Sequence, residues 1–184
     1  KPHPPLRIAA TTKETFPQVG AAGYPVFVGL RGLDRPDLVK LLEEYRKAWK
    51  DAGHPGNGDV YIRIPIYVGR SKQEAYDEAE ESTMRSYRRL AQNFSLSAAS
   101  AGTVASEERV VRGERLSAVT YEELIRDRLA YGSPEDVIKL LKEITEEMGL
   151  SGIVAEANVG GLIPREKVAA SIDLFCKEVV PALR

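Results

Sequence analysis

The stretch Val60-Tyr-Ile-Arg-Ile-Pro-Ile-Tyr-Val68 is the longest strand candidate in the chain, and Gly69 ends it. Because side chains alternate between the two faces of a strand, the even-numbered residues form one purely aliphatic row. The odd-numbered row is mixed, since Arg63 stands between Tyr61 and Tyr67. A strand covered by helices on both faces needs two aliphatic rows, whereas a barrel strand tolerates a mixed inner row. The stretch therefore favours a barrel over an open doubly wound sheet.

Strands and helices alternate along the rest of the sequence. Apolar runs bounded by turn residues predict four strands, at residues 6–10, 25–28, 60–68 and 152–155. Helical spacing and capping patterns predict helices at residues 16–22, 34–52, 71–94, 121–129, 133–148 and from 164 onward. Parallel neighbours need crossover connections of this kind. The sequence thus predicts an α/β fold of parallel (β/α) units, with four strands each followed by helix.

The number of units sets the expected organisation. Four units are half of an eight-stranded barrel, and 184 residues are fewer than the about 250 of a complete one. We expect one domain over residues 1–184. Residues 95–118 are rich in Ser, Ala and Gly, then charged, without a sustained period, so we expect a mobile insertion with at most a short helix. The residues of the last helix expected to face inward are Val168, Ile172, Phe175 and Val179.

Composition excludes several classes of protein. With 26 basic and 27 acidic side chains, the chain lacks the basic excess of a protein that binds nucleic acid or a membrane surface. One cysteine and two histidines cannot form an internal disulfide or a Cys/His zinc site, so no metal is expected. No apolar run approaches the roughly 18 residues of a membrane helix, and no signal-peptide pattern opens the chain. We expect a cytoplasmic protein, and, because Lys1 is not a Met, we expect it to be an interior position of a longer chain.

Short motifs are spread over essentially the whole chain: Ile8-Ala-Ala-Thr-Thr-Lys-Glu-Thr-Phe16, Gly23-Tyr-Pro25, Gly132-Ser-Pro-Glu-Asp-Val137, Glu156-Ala-Asn158, Leu174-Phe175 and Val180-Pro181. In this order and at these spacings they resemble the C-terminal half of the bacterial-luciferase-like flavin monooxygenases. Members of that family are TIM (β/α)8 barrels. The resemblance implies that the chain supplies strands five to eight of such a barrel and that strands one to four are missing.

The resemblance also implies a cofactor, a substrate class and partners. Family members bind reduced FMN, or in some cases the deazaflavin F420, and use O2 to oxidise a small organic substrate. We therefore expect an FMN-dependent monooxygenase that acts as part of a full barrel. The expected partners are a flavin reductase and either a second copy, giving a homodimer, or the missing N-terminal half. The family's catalytic residues lie mostly in the N-terminal half, so none is assigned here.

A phosphate site is predicted where the first strand passes into the first helix. Free amides and a positive dipole at a helix start attract a phosphate, and the hydroxyls of Thr12 and Thr15 add donors. In the resembled family the corresponding segment holds the flavin phosphate, which implies this role for Thr12 and Thr15, with Thr11 beside them. At the position of Thr11 luciferase itself carries an acid. The alternative is that Thr12 only caps the helix and Thr15 is a surface residue.

Three further residues are candidates for the flavin or substrate pocket. On the inner row of a barrel strand the guanidinium of Arg63 needs an anionic or hydrogen-bonded partner, and the alternative to a ligand is a salt bridge with Glu156. The sulfonate-oxidising branch of the family is similar in having an arginine on this strand, but Pro65 replaces the histidine that follows it there. Glu156 and Asn158 lie at the carboxyl end of the last strand, where barrel enzymes keep their sites. Their alternative role is to cap loops.

Some alternatives remain open. General barrel geometry offers a second place for a phosphate, at Gly69-Arg70-Ser71 and at residues 158–161, whereas the resemblance favours Thr12. The protein could instead be a non-catalytic flavin- or ligand-binding half-barrel that pairs with another chain, because half a barrel exposes two strand edges and an apolar inner face. A third possibility is an open α/β nucleotide-binding module, which requires aliphatic residues on both faces of residues 60–68.

Overall fold

The computed structural model describes residues 4–30, 33–98 and 103–183, and within these ranges the chain forms five strands and eight α-helices. The strands are β1 (Ile8–Ala9), β2 (Val26–Gly29), β3 (Val60–Val68), β4 (Ala130–Gly132) and β5 (Gly152–Glu156). The helices are α1 (Thr15–Ala21), α2 (Arg35–Asp51), α3 (Lys72–Ala98), α4 (Thr103–Ala118), α5 (Tyr121–Asp127), α6 (Pro134–Met148), α7 (Arg165–Leu174) and α8 (Val180–Ala182). A π-helical turn, Phe175–Val179, joins α7 to α8. None of these helices is long and apolar enough to cross a membrane.

The chain divides into two compact units, which are described separately. The first comprises Lys1–Ile64 and Lys139–Ala155, and the second comprises Pro65–Ile138 and Glu156–Arg184. Strands β3 and β5 and helix α6 contribute residues to both units. The expectation of one domain over residues 1–184 stays a prediction.

In the first unit β1, β2 and β3 pair in parallel, with Ile8 opposite Val26 and Val26 opposite Val60. Strand β5 also pairs with β3, and just before it the Ser151 N–H donates to the Val60 carbonyl at 2.8 Å. Helices α1 and α2 provide apolar cover, and Phe16 of α1 is fully buried. The buried residues of α2 are Leu38, Leu41, Leu42 and Tyr45, which lie at helical spacing along one face. Parallel strands with intervening helices confirm the predicted fold class.

In the second unit the carboxyl end of β3 pairs in parallel with β4, so that Tyr67 lies opposite Tyr131. The centres of these two rings are 6.2 Å apart in an edge-to-face arrangement, which aromatic pairs favour. Helix α3 packs against the pair, since Thr83 Oγ1 and the Tyr131 hydroxyl share a hydrogen bond of 2.9 Å. The core of this unit therefore combines small α3 residues with aromatic strand residues.

Residues 95–118 differ from the predicted loop. The end of α3 and the 16-residue helix α4 occupy them, while residues 99–102 lie outside the described ranges. The two helices pack closely, because a Cβ at Gly113 would lie 3.3 Å from the Ala91 carbonyl oxygen. The prediction of at most a short helix is wrong. The sequence of α4 shows no regular apolar period, because Val110 and Val111 are apolar but lie exposed on its outer face.

Two further details correct the sequence analysis. Strand β4 is an additional strand that was missed, because three residues are too short to show a period of two. In α7, Ile172 was expected to face inward but is 44% exposed, whereas Ser171 is only 4% exposed. The hydroxyl of Ser171 accepts a hydrogen bond from the Val68 N–H at 2.7 Å. This bond turns Ser171 toward β3, and the side chain of Ile172 consequently faces away.

Serine hydroxyls cap two of the predicted helices. The Asp136 N–H donates to Ser133 Oγ at 3.3 Å, and Asp136 Oδ2 accepts from the Ser133 N–H at 3.1 Å, which completes a capping box at α6. At α3 the Glu74 N–H donates to Ser71 Oγ at 3.2 Å. The carboxylate of Glu74 accepts from the N–H of Arg70 at 2.6 Å, one residue earlier than a capping box predicts.

Candidate functional site

Thr12 and Thr15 meet between β1 and α1 in the first unit. Their hydroxyl oxygens are 2.8 Å apart and share one hydrogen bond, and both side chains are half-buried. The backbone N–H of Thr15 also donates to the Thr12 carbonyl at 3.1 Å. Helix α1 has no side-chain cap at its N-terminus, so the hydroxyl of Thr12 bonds to Thr15 instead of capping the helix. Thr11 is exposed beside them.

Arg63 lies on the half-buried row of β3. In the first unit's part of this strand Val60, Ile62 and Ile64 are fully buried, whereas Tyr61 and Arg63 are half-buried. Further along β3, Pro65 and Tyr67 of the odd-numbered row are buried as well. The guanidinium carbon of Arg7 lies 3.8 Å from the centre of the Tyr61 ring, a stacked cation–π contact. Two cations therefore lie on this face of β3: Arg63, which belongs to the strand, and Arg7, which stacks on Tyr61.

Asn158 follows β5 in the second unit and braces a turn. Its side-chain amide donates to the Ile163 carbonyl at 3.3 Å and accepts from the Ile163 N–H at 3.3 Å. Between these residues Gly160 and Gly161 have positive φ, which glycine adopts without strain. This geometry matches the loop-capping alternative for Asn158. Glu156, at the end of β5, is half-buried, and its salt bridge with Arg63 stays a prediction.

A pocket of about 230 Å³ lies at the carboxyl end of β3 in the second unit, and we call it the β3-end pocket. Its polar lining residues are Tyr67, Arg70, Glu74, Glu78, Glu166, Lys167 and Ser171. Of these residues only Arg70 belongs to a position predicted from sequence to bind a ligand. The others come from one strand and two helices far apart in the chain, and no sequence spacing signals such a grouping.

Glu78 is the centre of the hydrogen bonds around this pocket. The Tyr67 hydroxyl donates to Glu78 Oε2 at 2.7 Å, and Lys167 Nζ lies 2.8 Å from Oε1. Burial by itself raises the pKa of Glu78, but the hydrogen bonds from Lys167 and Tyr67 outweigh it and lower the pKa overall. Burial and the Glu78 hydrogen bond raise the pKa of Tyr67, and the Glu78 carboxylate raises the pKa of Lys167. Glu78 and Lys167 therefore form an ion pair that joins α3 to α7.

We expect Glu78→Gln to lower the free energy of unfolding by about 1 kcal/mol at neutral pH, since it removes the charge from a partly exposed pair. Because the pKa of Glu78 is lowered in the folded protein, the charged carboxylate stabilises the fold above the ordinary glutamate pKa of about 4.3. That contribution is lost as the pH falls through the lower, folded-state pKa. Urea titrations across this pH range should show the wild-type advantage shrinking in acid.

Glu81→Gln is the matched control, because Glu81 is an exposed glutamate on the same helix. It should change the free energy of unfolding little at any pH. A wild-type advantage over Glu78→Gln that persists unchanged in acid would contradict the ion pair.

Comparison with known proteins identifies the fold. The model of the luciferase-like monooxygenase family matches residues 1–152. A monooxygenase from Streptomyces bottropensis is 20% identical, with a TM-score of 0.67 over 100% of this chain and 50% of its own. The FMN complex of a 3,6-diketocamphane monooxygenase from Pseudomonas putida is 17% identical, with a TM-score of 0.66 over 97% and 49%.

A third solved structure carries a different cofactor in its name. The coenzyme F420-dependent tetrahydromethanopterin reductase from Methanopyrus kandleri is 18% identical, with a TM-score of 0.65 over 98% of this chain and 51% of its own. No curated protein is similar enough to count as a match.

The chain thus spans about half the length of the solved structures that it matches. Its parallel strand–helix units correspond to part of their TIM barrel. Since the family model covers most of its 184 residues, the chain belongs to the luciferase-like monooxygenase family.

Proposed function

We propose that the chain is the C-terminal half of an FMN-dependent monooxygenase barrel, which uses reduced FMN and O2 to oxidise a small organic substrate. The match of residues 1–152 to the luciferase-like monooxygenase family carries this proposal. The FMN complex among the similar structures supports the choice of cofactor. The F420-dependent reductase supports the deazaflavin F420 as an alternative.

The residues at the start of α1 fit a flavin phosphate. The two hydroxyls of Thr12 and Thr15 are half-buried and use only one hydrogen bond between them, so one O–H remains to donate. The N-terminus of α1 has no side-chain cap, which leaves it open to an anion, and the exposed Lys13 adds positive charge beside it. Thr12 and Thr15 would hold the phosphate, with Thr11 beside them.

Arg63, Glu156 and Asn158 are proposed to shape the flavin or substrate pocket. The half-buried guanidinium of Arg63 would contribute positive charge and N–H donors to an anionic or carbonyl group of the flavin or the substrate. Asn158 would act by holding the loop after β5 in place through Ile163. The bound flavin would supply the reaction with oxygen, and the protein would bind it, orient it and exclude water. A reductase would supply the reduced flavin.

The phosphate assignment is tested by binding FMN and riboflavin, which differ in the phosphate alone. We expect the double variant Thr12→Ala/Thr15→Ala to bind FMN at least about tenfold more weakly, since charge-assisted hydrogen bonds are lost, and to bind riboflavin as before. Flavin fluorescence quenching measures both affinities. Repeating the titration with F420 shows whether the same pair serves the alternative cofactor.

Thr145→Ala is the matched control, because Thr145 is a half-buried helix threonine outside the proposed site. It should leave both affinities unchanged. Equal FMN affinity in wild type and double variant would reject the phosphate site. Failure of the wild-type chain to bind either flavin would contradict a flavin site contained within this half of the barrel.

A non-catalytic half-barrel that pairs with another chain is a second candidate. The chain spans about half of the similar structures, and Ile8 on β1 and Val154 on β5 are 37% and 45% exposed. Exposed aliphatic residues on strands favour pairing with a partner. Sedimentation showing a stable monomer at all concentrations would contradict this candidate, and a dimer without flavin binding would favour it over the monooxygenase.

A further inference from the structure

The β3-end pocket is not used by the proposed function. It lies within the second unit and includes Gly69 and Arg70, part of the loop that the sequence analysis noted as a general phosphate position in barrels. Its volume of about 230 Å³ is below the roughly 300–1,000 Å³ of typical cofactor pockets. The pocket therefore suits a small molecule or a single functional group of a larger one.

Two of the acids in the pocket already accept hydrogen bonds from the protein. Glu78 accepts from the Tyr67 hydroxyl and from Lys167. Glu74 accepts from the backbone N–H of Arg70. The third acid, Glu166, is exposed, so water screens its charge. The three carboxylates consequently repel a bound anion less strongly than three free negative charges would.

Three side chains in the same pocket have hydrogen-bond donors that the protein does not use fully. Ser171 is 4% exposed, and its oxygen accepts from the Val68 N–H, while its own O–H has no acceptor among the hydrogen bonds of the described residues. Lys167 has three N–H donors and directs one to Glu78. Arg70 adds an exposed guanidinium at the rim. A buried O–H without an acceptor is unfavourable, and a ligand oxygen would satisfy it.

We propose that the β3-end pocket binds the oxyanion group, phosphate or carboxylate, of a small molecule. Ser171 donates its O–H from the buried side, and Lys167 and Arg70 donate from the open side. This site is separate from Thr12 and Thr15, which lie in the first unit, and it does not depend on the flavin assignment.

Backbone amide NMR shifts test this site directly, since the Val68 N–H bonds to Ser171 Oγ and reports on that hydroxyl. Inorganic phosphate and acetate are titrated separately, with methylammonium at equal ionic strength as the control cation. We expect saturable shifts at Val68 and Ala170 with phosphate, acetate or both. The stronger binder identifies the oxyanion.

One variant removes a proposed donor, and two variants serve as controls. Arg70→Gln should weaken binding about five- to tenfold, because it removes a charge-assisted hydrogen bond at an exposed position that the fold does not need. Lys177→Gln is the matched control, since Lys177 is an exposed, ion-paired lysine outside the pocket, and it should bind like wild type. Thr12→Ala/Thr15→Ala should also leave these shifts unchanged, even if it abolishes FMN binding.

Several outcomes would overturn the proposal. These are the absence of saturable shifts with either oxyanion, wild-type affinity in Arg70→Gln, and methylammonium saturating the same amides. Loss of the Val68 shift in the threonine variant would assign the oxyanion to the flavin site instead.

Discussion

Gly160→Ala is expected to lower the free energy of unfolding by about 3 kcal/mol or more. Two effects add: a positive φ of 88° costs a side chain about 1–2 kcal/mol, and overpacking costs about 1–3 kcal/mol. A Cβ at this position would lie 1.8 Å from the backbone oxygen of Ser82, far inside van der Waals contact. Either the backbone of α3 or the turn after β5 must move.

The turn that contains Gly160 is held close to Ser82 by hydrogen bonds, so we expect the loss of stability to be large. The Ser82 hydroxyl donates to the Val159 carbonyl at 2.5 Å and accepts from the Leu162 N–H at 2.9 Å. Moving the turn to admit a methyl group would break these two hydrogen bonds. Because Asn158 lies in the same turn, we also expect Gly160→Ala to weaken any ligand binding that depends on Asn158.

Gly161→Ala is a control that differs in one respect. Its φ is also positive, 74°, but a Cβ there meets nothing within 4 Å. It should therefore cost only the backbone strain, about 1–2 kcal/mol. Urea unfolding of both variants gives the comparison. Equal losses at the two positions would show that the close approach to Ser82 does not exist.

Gly20→Ala is the second substitution with a large expected effect, a loss of about 2–4 kcal/mol. Gly20 lies in α1, and a Cβ there would be 2.2 Å from the carbonyl oxygen of Tyr45 in α2. Propensity predicts the opposite sign, since alanine is favoured over glycine in a helix by about 1 kcal/mol. The contact between the two helices decides the sign, because neither backbone can yield without repacking the core.

The control for Gly20 lies one residue further along α1. Ala21 is exposed, so Ala21→Gly should cost only the propensity difference of about 1 kcal/mol. Chemical denaturation of the two variants measures both losses. A gain of stability in Gly20→Ala would contradict the close packing of α1 on α2. Because Thr15 is the first residue of α1, FMN affinity should also fall in Gly20→Ala if the phosphate site is correct.

Local pattern predicted β3 and α2 correctly. Strand β3 has the predicted bounds, and α2 differs by one residue at each end, since both carry many apolar residues at a regular period. Pattern was wrong for α4, whose packing on α3 relies on small residues and whose outer face carries exposed valines. It missed β4, where three residues leave no period to detect. Prediction thus succeeded where burial follows a repeat and was wrong where it depends on a neighbouring element.

The candidate site divides in the same way. Thr12 and Thr15 are three residues apart, so their contact across the start of a helix was foreseeable from sequence. The role of Asn158 as a brace was left open, and the structure gives its side chain two bonds to Ile163. The grouping of Tyr67 with Glu78 and Lys167 could not be foreseen, because Lys167 is far from both along the chain.

The sequence by itself determined the alternation of strands and helices, the mixed row of β3 and the resemblance to a flavin monooxygenase family. Each of these depends on the types of residues that are close together along the chain. Only the tertiary structure decided which glycines lie against a neighbouring backbone and where the β3-end pocket lies. Ser171 meets Val68 across 103 residues, and Gly160 lies against Ser82. Such contacts depend on how the chain folds back on itself, and no local spacing specifies that.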